Sequence, residues 1–576
     1  MPQITKFWKL AARGAVVLSI LAALLPFNPN SIKTVQAAPA CEAGKNCFYL
    51  PLLSVGNVAT AASGDLQISA VEVTQGVQNP ANNVPLVAGR STMLRIYATG
   101  QHAAASPVTV AVSANPVGPA MSSAPLMLSA NLQVTPSRSV YSSTINVPLP
   151  AGWLSGSYDL SITIDPQNQV SESNESNNTF VQRVGFINVP ALRVMIVPVR
   201  YTHTDGITYP APTQDSISST IMRLFPINKV DVSWHAPFNF SGNMKESASF
   251  STLLSNINTL RRNENAPADV VYYALVPTSD GSRSWFSGGV VGMGYVGART
   301  AVGLDYYNAG LTAAHEIGHN LGRYHAPCGN TSSPDPAYPY ASGSIGEYGL
   351  DLVSGQLYTP ETGRDMMSYC SPKWVSDYTY RALLDAQLKT VSTASLSAAA
   401  DVLPEPVFMV RAQINELGAT LLPVYAADGI ADAPVSDSPY RIQLLGVNGQ
   451  VLTDQPVQAI EIATESETEE HVFEIQANLV QPAEPVQSVR LLKGNEVIAA
   501  SQLNASQNVL AADQGAMLSV ASAGIAASSP ALVRYSLDGG QSWTVTAVDV
   551  SAEGFDAQAA GLPENALVEI LPALSN

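Results

Sequence analysis

Three of the chain's seven histidines fall within eleven residues, His315-Glu316-Ile317-Gly318-His319-Asn320-Leu321-Gly322-Arg323-Tyr324-His325. The pattern is H-E-x-x-H-x-x-G-x-x-H. On a helix, His315 and His319 stand one turn apart on the same face. Gly322 can take backbone angles closed to other residues, so the helix can stop there and the chain can turn back. That turn brings His325 toward the same point. Three imidazole nitrogens then surround one metal ion and leave a fourth position for water, which is the donor set of a catalytic Zn2+ site. Glu316 follows the first ligand and is placed to take that water's proton. Chance supplies a bare H-E-x-x-H in a chain of this length at roughly a 5% level, and the added glycine and histidine lower that to about one in several thousand.

A second signal lies downstream, in Arg364-Asp365-Met366-Met367-Ser368-Tyr369-Cys370. Together with the histidine motif it resembles the metzincin clan of zinc endopeptidases. In that clan a tight turn containing methionine forms an apolar floor beneath the metal. The resemblance assigns that role to Met367, with Met366 the weaker choice. It also implies that Tyr369 binds the metal or stabilises the transition-state oxyanion.

Elements able to position these residues can be read around them. Residues 191–201 (ALRVMIVPVRY), 230–234 and 269–276 (DVVYYALV) read as strands, and 215–224 and 247–262 as helices. This β-α-β-α-β order predicts a largely parallel sheet flanked by helices. Residues 289–297 (GVVGMGYVG) resemble the metzincin edge strand along which an extended substrate adds itself. Residues 376–388 read as the helix that closes a catalytic domain spanning 191–392.

The remaining chain frames this domain. At 576 residues it is too long for one core. Residues 1–37 read as a secretory signal: Lys6, Lys9 and Arg13 precede an apolar run at 15–25, and Val35-Gln36-Ala37 suits cleavage. Residues 38–64 read as a linker. Cleavage would also remove Lys33, leaving the mature chain with four fewer positive charges than the formal −17. Such acidity excludes nucleic acid and anionic membranes as natural partners.

Residues 65–188 form a separate region of alternating strands, among them 94–98, 108–112 and 156–164 (GSYDLSITI). The polar run 165–178 (DPQNQVSESNESNN) follows, and the pattern resembles the CARDB family (cell-adhesion-related domains of bacteria), whose fold is an immunoglobulin-like sandwich. These side chains suit backbone-capping Asx turns, with structural Ca2+ as the other reading. Residues 393–404 read as a small-residue linker. Residues 405–576 alternate in short runs and suggest one or two β-sandwich modules. Within them, 536–543 (SLDGGQSW) resembles an Asp-box, a motif that shapes a hairpin turn.

Four cysteines allow two disulfides in three pairings. Cys41 and Cys47 are close enough to pair locally. The metzincin resemblance brings Cys328 and Cys370 near the metal and implies a Cys328–Cys370 bridge.

The expectation is therefore a multidomain chain, with an α/β metzincin-like catalytic domain flanked by all-β immunoglobulin-like sandwich modules. Its expected activity is that of a secreted bacterial zinc endopeptidase, with Glu316 as general base and Tyr369 as a second catalytic group. The expected partner is a protein or peptide substrate, surface-bound or glycosylated proteins being the class the sandwich modules suggest. Stable membrane insertion after signal cleavage is not expected. The rival expectation is an exported adhesin or carbohydrate-binding protein with an inactive protease-like scaffold.

Overall fold

The structure is a computed structural model that describes residues 65–100, 107–118, 123–278, 289–397, 404–463, 471–504, 529–551, 555, 557 and 560–575. The chain divides into two units, Met1–Ser54 and Val55–Asn576, and every described residue belongs to the second. The predicted leader 1–37, the linker 38–64, Cys41 and Cys47 lie outside the described residues.

The N-terminal region is a two-sheet sandwich. Leu66–Thr74, Met93–Gly100 and Ile145–Pro148 form one sheet. Leu86–Val87, Val108–Pro116, Leu126–Ala130, Gly156–Ile164 and Thr179–Ile187 form the other. Alternation decides which face is inward: Val108, Val110, Val112 and Ala114 are buried while the residues between them are half-exposed. Leu160, Ile162 and Ile164 enter the same core. The polar run beyond them folds on itself. Asp165, at a φ of +46°, accepts the amides of Gln169 at 3.0 Å and Val170 at 2.7 Å. Glu172 accepts the Leu66 amide at 2.7 Å. These bonds satisfy turn backbone in the way Asx turns do.

The next segment builds the sheet that carries the site. Its positioning strands are β1 (Leu192–His203), β2 (Val270–Pro277), β3 (Gly292–Tyr295) and β4 (Thr300–Asp305), followed later by β5 (Ala459–Ala463) and β6 (Val472–Val480). The helices are α1 (Ser218–Leu224), α2 (Ser247–Asn263), α3 (Ala309–Asn320) and α4 (Asp377–Ser397). β1 pairs in parallel with Val230–Trp234, with Phe238–Gly242 and with β2, and β2 pairs in parallel with β4. α2 buries Phe250, Leu253, Leu254, Ile257 and Leu260 completely, each burial worth about 1.5–3 kcal/mol relative to exposure. Asp215 accepts the amides of Ile217 and Ser218, both at 3.0 Å, at the entrance to α1. α4 continues nine residues past the predicted end at 388, because the alanines and serines that read as linker are also tolerated in a helix.

The α/β expectation is corrected here. The described residues are mostly β-structure with four α-helices, and the sheet is mixed, with twelve strands. β3 runs antiparallel to β4, β5 antiparallel to β3, β6 antiparallel to β5, and Glu405–Asn415 antiparallel to β6. The expected edge strand is therefore occupied over part of its length by a strand from the C-terminal region. Core packing follows the sheet: Val197, Val199, Leu253, Val302 and Leu304 share one apolar cluster with Val407, Met409, Ile462, Leu532 and Val545. Local alternation reveals each strand but not its partner, so this continuation could not be read from sequence.

Polar contacts tie the regions together. The buried Glu474 carboxylate of β6 accepts the Tyr295 hydroxyl at 2.7 Å and the Ser255 hydroxyl of α2 at 2.8 Å. On the other side, the Arg90 guanidinium of the sandwich donates to the carbonyls of Met222, Arg223, Phe225 and Ile227 at the end of α1. Trp374 donates its indole N–H to the Gly76 carbonyl at 2.8 Å. The Asp-box segment forms the expected turn between Pro530–Ser536 and Thr544–Ser551, where Asp538 accepts the Ser542 amide at 2.9 Å.

Candidate metal centre and active site

α3 packs Ala313, Ala314 and Ile317 into the core, which leaves His315, Glu316 and His319 on its adjoining face, all buried. The helix ends where Gly322 takes a φ of +81°. The Gly322 amide donates to the His319 carbonyl at 2.8 Å and the Arg323 amide to the Gly318 carbonyl at 3.0 Å. This paired bond pattern around a left-handed glycine closes a helix and reverses the chain. The reversal delivers His325.

The three imidazoles meet. His319 Nε2 lies 3.0 Å from His315 Nε2 and 3.1 Å from His325 Nε2. Each Nδ1 faces a backbone carbonyl: Met366 at 2.8 Å for His315, Arg323 at 2.6 Å for His319, and Ser332 at 2.7 Å for His325. A carbonyl oxygen can only accept, so each Nδ1 carries the ring proton and each Nε2 presents its lone pair. Three lone pairs converging at this spacing fit a shared cation; two nitrogens about 2.0–2.1 Å from a tetrahedral zinc would stand about 3.3 Å apart. Among the described residues this is the cluster of three side chains able to hold a metal ion.

The methionine-containing segment 364–370 lies against this centre. Met367 is buried, and an added Cβ on Gly318 would lie 2.5 Å from its sulfur. Gly318 therefore belongs to the motif for close approach rather than for a turn. The Ala326 amide donates to the Met367 carbonyl at 3.0 Å and the Tyr369 amide to the Cys328 carbonyl at 3.0 Å. Cys328 and Cys370 are disulfide-bonded across the same two segments, with their Cα atoms 5.7 Å apart. The Tyr369 hydroxyl lies 3.4 Å from His325 Nε2.

Glu316 is 1% exposed and lies against β3. A Cβ at Gly292 would come within 2.5 Å of its Oε1, and one at Gly294 within 3.3 Å of its Oε2. The two glycines of Gly292-Met293-Gly294 thus make room for the carboxylate. The neighbouring Tyr273 phenol has its pKa pushed well above the ordinary value, first by burial and then by the Glu316 charge.

His315, Glu316, His319, His325, Met367, Tyr369, Cys328 and Cys370 are all brought together. Sequence reasoning missed Asp365, which is fully buried and accepts the amides of Met367 at 2.8 Å and Ser376 at 2.9 Å. An aspartate two residues before the methionine was a usable Asx-turn signal. It also missed Glu461 and His471. Glu461 stands within β5 and His471 immediately before β6, and both line a groove with His319 and His325. No local pattern marks them.

Two family matches together span residues 63–373. Residues 63–182 match the CARDB family, and residues 170–373 match Peptidase M66, so the chain carries a CARDB domain and a peptidase domain. Residues 315–325 and 364–370 both lie inside the second match. No curated protein matches the chain. Among solved structures, a CARDB domain from Pyrococcus furiosus is 17% identical and covers 23% of this chain and 99% of its own, with a TM-score of 0.16. A domain of a cell surface protein from Methanosarcina acetivorans is 20% identical and covers 22% of this chain and 94% of its own, with a TM-score of 0.15.

Proposed function

We propose that this chain is an exported zinc-dependent endopeptidase in which Glu316 is the general base. The observation that carries this reading is the convergence of three Nε2 atoms, each ring oriented by a carbonyl at its Nδ1. The peptidase-family match over the same residues supports it.

His315, His319 and His325 would hold the metal. A bound zinc ion supplies Lewis acidity, polarising the scissile carbonyl and lowering the pKa of water toward neutrality. Glu316 takes a proton from the attacking water and carries it to the leaving amine. Its burial keeps competing solvent away from the carboxylate, and Gly292 and Gly294 leave room for it against β3. Tyr369, 3.4 Å from His325 Nε2, donates its hydroxyl proton toward the oxygen that gains charge during attack. Export is supported by the leader-like residues 1–37 and by the Cys328–Cys370 bridge, a bond that persists in oxidising compartments. No helix among the described residues is long and apolar enough to cross a membrane.

The adhesin reading is not favoured, since a scaffold that had lost its chemistry would have no need to keep both the ligand set and the base. Metal removal tests the proposal. Chelation should abolish cleavage of a generic protein substrate, and about one equivalent of zinc should restore it. His319→Ala should neither bind the metal stoichiometrically nor cleave. Full cleavage by the metal-free protein would overturn the reading.

A further inference from the structure

The C-terminal region reaches the candidate metal centre through β5. Gly294 and Tyr295 of β3 pair with Ala463 and Ile462, and the Val296 amide donates to the Glu461 carbonyl at 2.9 Å. Along these residues a second strand cannot add to β3. β5 is also firmly held. Ile462 is 2% exposed inside the shared core, and the other edge of β5 pairs with β6. It is a fixed wall of the cleft rather than a flap.

On the metal side of that wall a groove is lined by His319, Tyr324, His325, Ser333, Glu461 and His471. The Glu461 carboxylate accepts the Tyr324 hydroxyl at 3.1 Å and faces His471 Nδ1 at 2.9 Å. The Ser333 hydroxyl lies 3.2 Å from His471 Nε2. A carboxylate offers about four lone-pair sites, so two partners leave Glu461 capacity for another donor. The nearby Arg323 is turned elsewhere, donating to the Gly322 carbonyl and lying over the Tyr378 ring. Among the described residues that line the groove, Glu461 is the one carboxylate and none is a lysine or arginine, on a chain whose formal net charge is −17.

We propose that Glu461 is a specificity-determining residue that selects a lysine or arginine side chain beside the scissile bond, on the β5 side of the site. The proposal rests on the endopeptidase reading. It also makes the C-terminal region part of the site, although neither family match extends past residue 373.

A peptide library randomised on both sides of a central bond tests this with the full chain and its Glu461→Gln, Glu461→Asp and Glu461→Lys variants. Wild type should enrich lysine and arginine at one position flanking the bond. Glu461→Gln should lower that basic-over-neutral preference about tenfold, Glu461→Asp should retain it, and Glu461→Lys should turn it toward acidic residues. Zinc content of each variant reports an intact centre. Cleavage by wild type without a basic preference, or an unchanged preference in Glu461→Gln, overturns the subsite and leaves the endopeptidase reading standing. Loss of zinc from Glu461→Gln assigns the residue to holding the fold and also overturns it. No cleavage by any form overturns both.

Discussion

Gly318 and Met367 pack so closely that a Cβ on the glycine would lie 2.5 Å from the methionine sulfur. The helix bearing two of the candidate ligands and the turn beneath them therefore share one tight contact. The same turn orients His315 through the Met366 carbonyl. The Met366–Met367 segment and the candidate ligand His315 are positioned together.

Gly318→Ala tests that contact. Alanine favours the helix by about 1 kcal/mol, but overpacking a buried site costs about 1–3 kcal/mol. Met367 is 1% exposed and has little room to yield, so a net loss of stability is expected. Met367→Ala in the same chain should relieve the clash, giving a coupling of about 1 kcal/mol in a denaturant double-mutant cycle. Strict additivity would show that the two residues do not constrain each other.

Gly292→Ala would set a Cβ within 2.5 Å of both Glu316 Oε1 and Thr312 Cγ2. The helix is fixed by its core, so the side chains of Glu316 and Thr312 must both give way. Zinc content should remain at wild-type level while kcat falls by about a hundredfold, the low end of what general-base catalysis contributes. An unchanged kcat would mean that the carboxylate's place against β3 has no role in turnover.

The Cys328–Cys370 bridge closes a loop of sequence separation 42 and ties the segment after His325 to the methionine-containing segment 364–370. Replacing both cysteines with serine should cost up to about 4 kcal/mol in the loop-entropy account. It should also weaken zinc retention, because Tyr369 and His325 lose a shared brace. Equilibrium unfolding and zinc competition measure the two effects. A stability change under about 1 kcal/mol would show that the backbone bonds between the segments suffice.

Parts of this site were legible in the sequence because their causes are local. His315 and His319 follow from helical period, and His325 from the left-handed turn at Gly322. The strand at Val230–Trp234 and helix α2 also follow from local periodicity. What stayed hidden depends on distant partners. Glu461 enters the site only because β5 pairs with β3, a match between segments far apart in the chain. The α/β expectation failed for the same reason: the helices were read, but the antiparallel continuation of the sheet through β5, β6 and Glu405–Asn415 was not. Asp365 lay in plain view, yet its role emerged only when its carboxylate met the amides of Met367 and Ser376.

The central claim is that Glu316 performs proton transfer at a histidine-bound zinc ion. Glu316→Gln keeps the size and shape of the side chain while removing its basicity. Zinc content and cleavage of a protein substrate, measured together on this variant and the wild type, give the most direct test. About one zinc per chain in both, with turnover reduced by at least about a hundredfold in the variant, is the predicted result. Wild-type turnover by zinc-loaded Glu316→Gln would contradict the account.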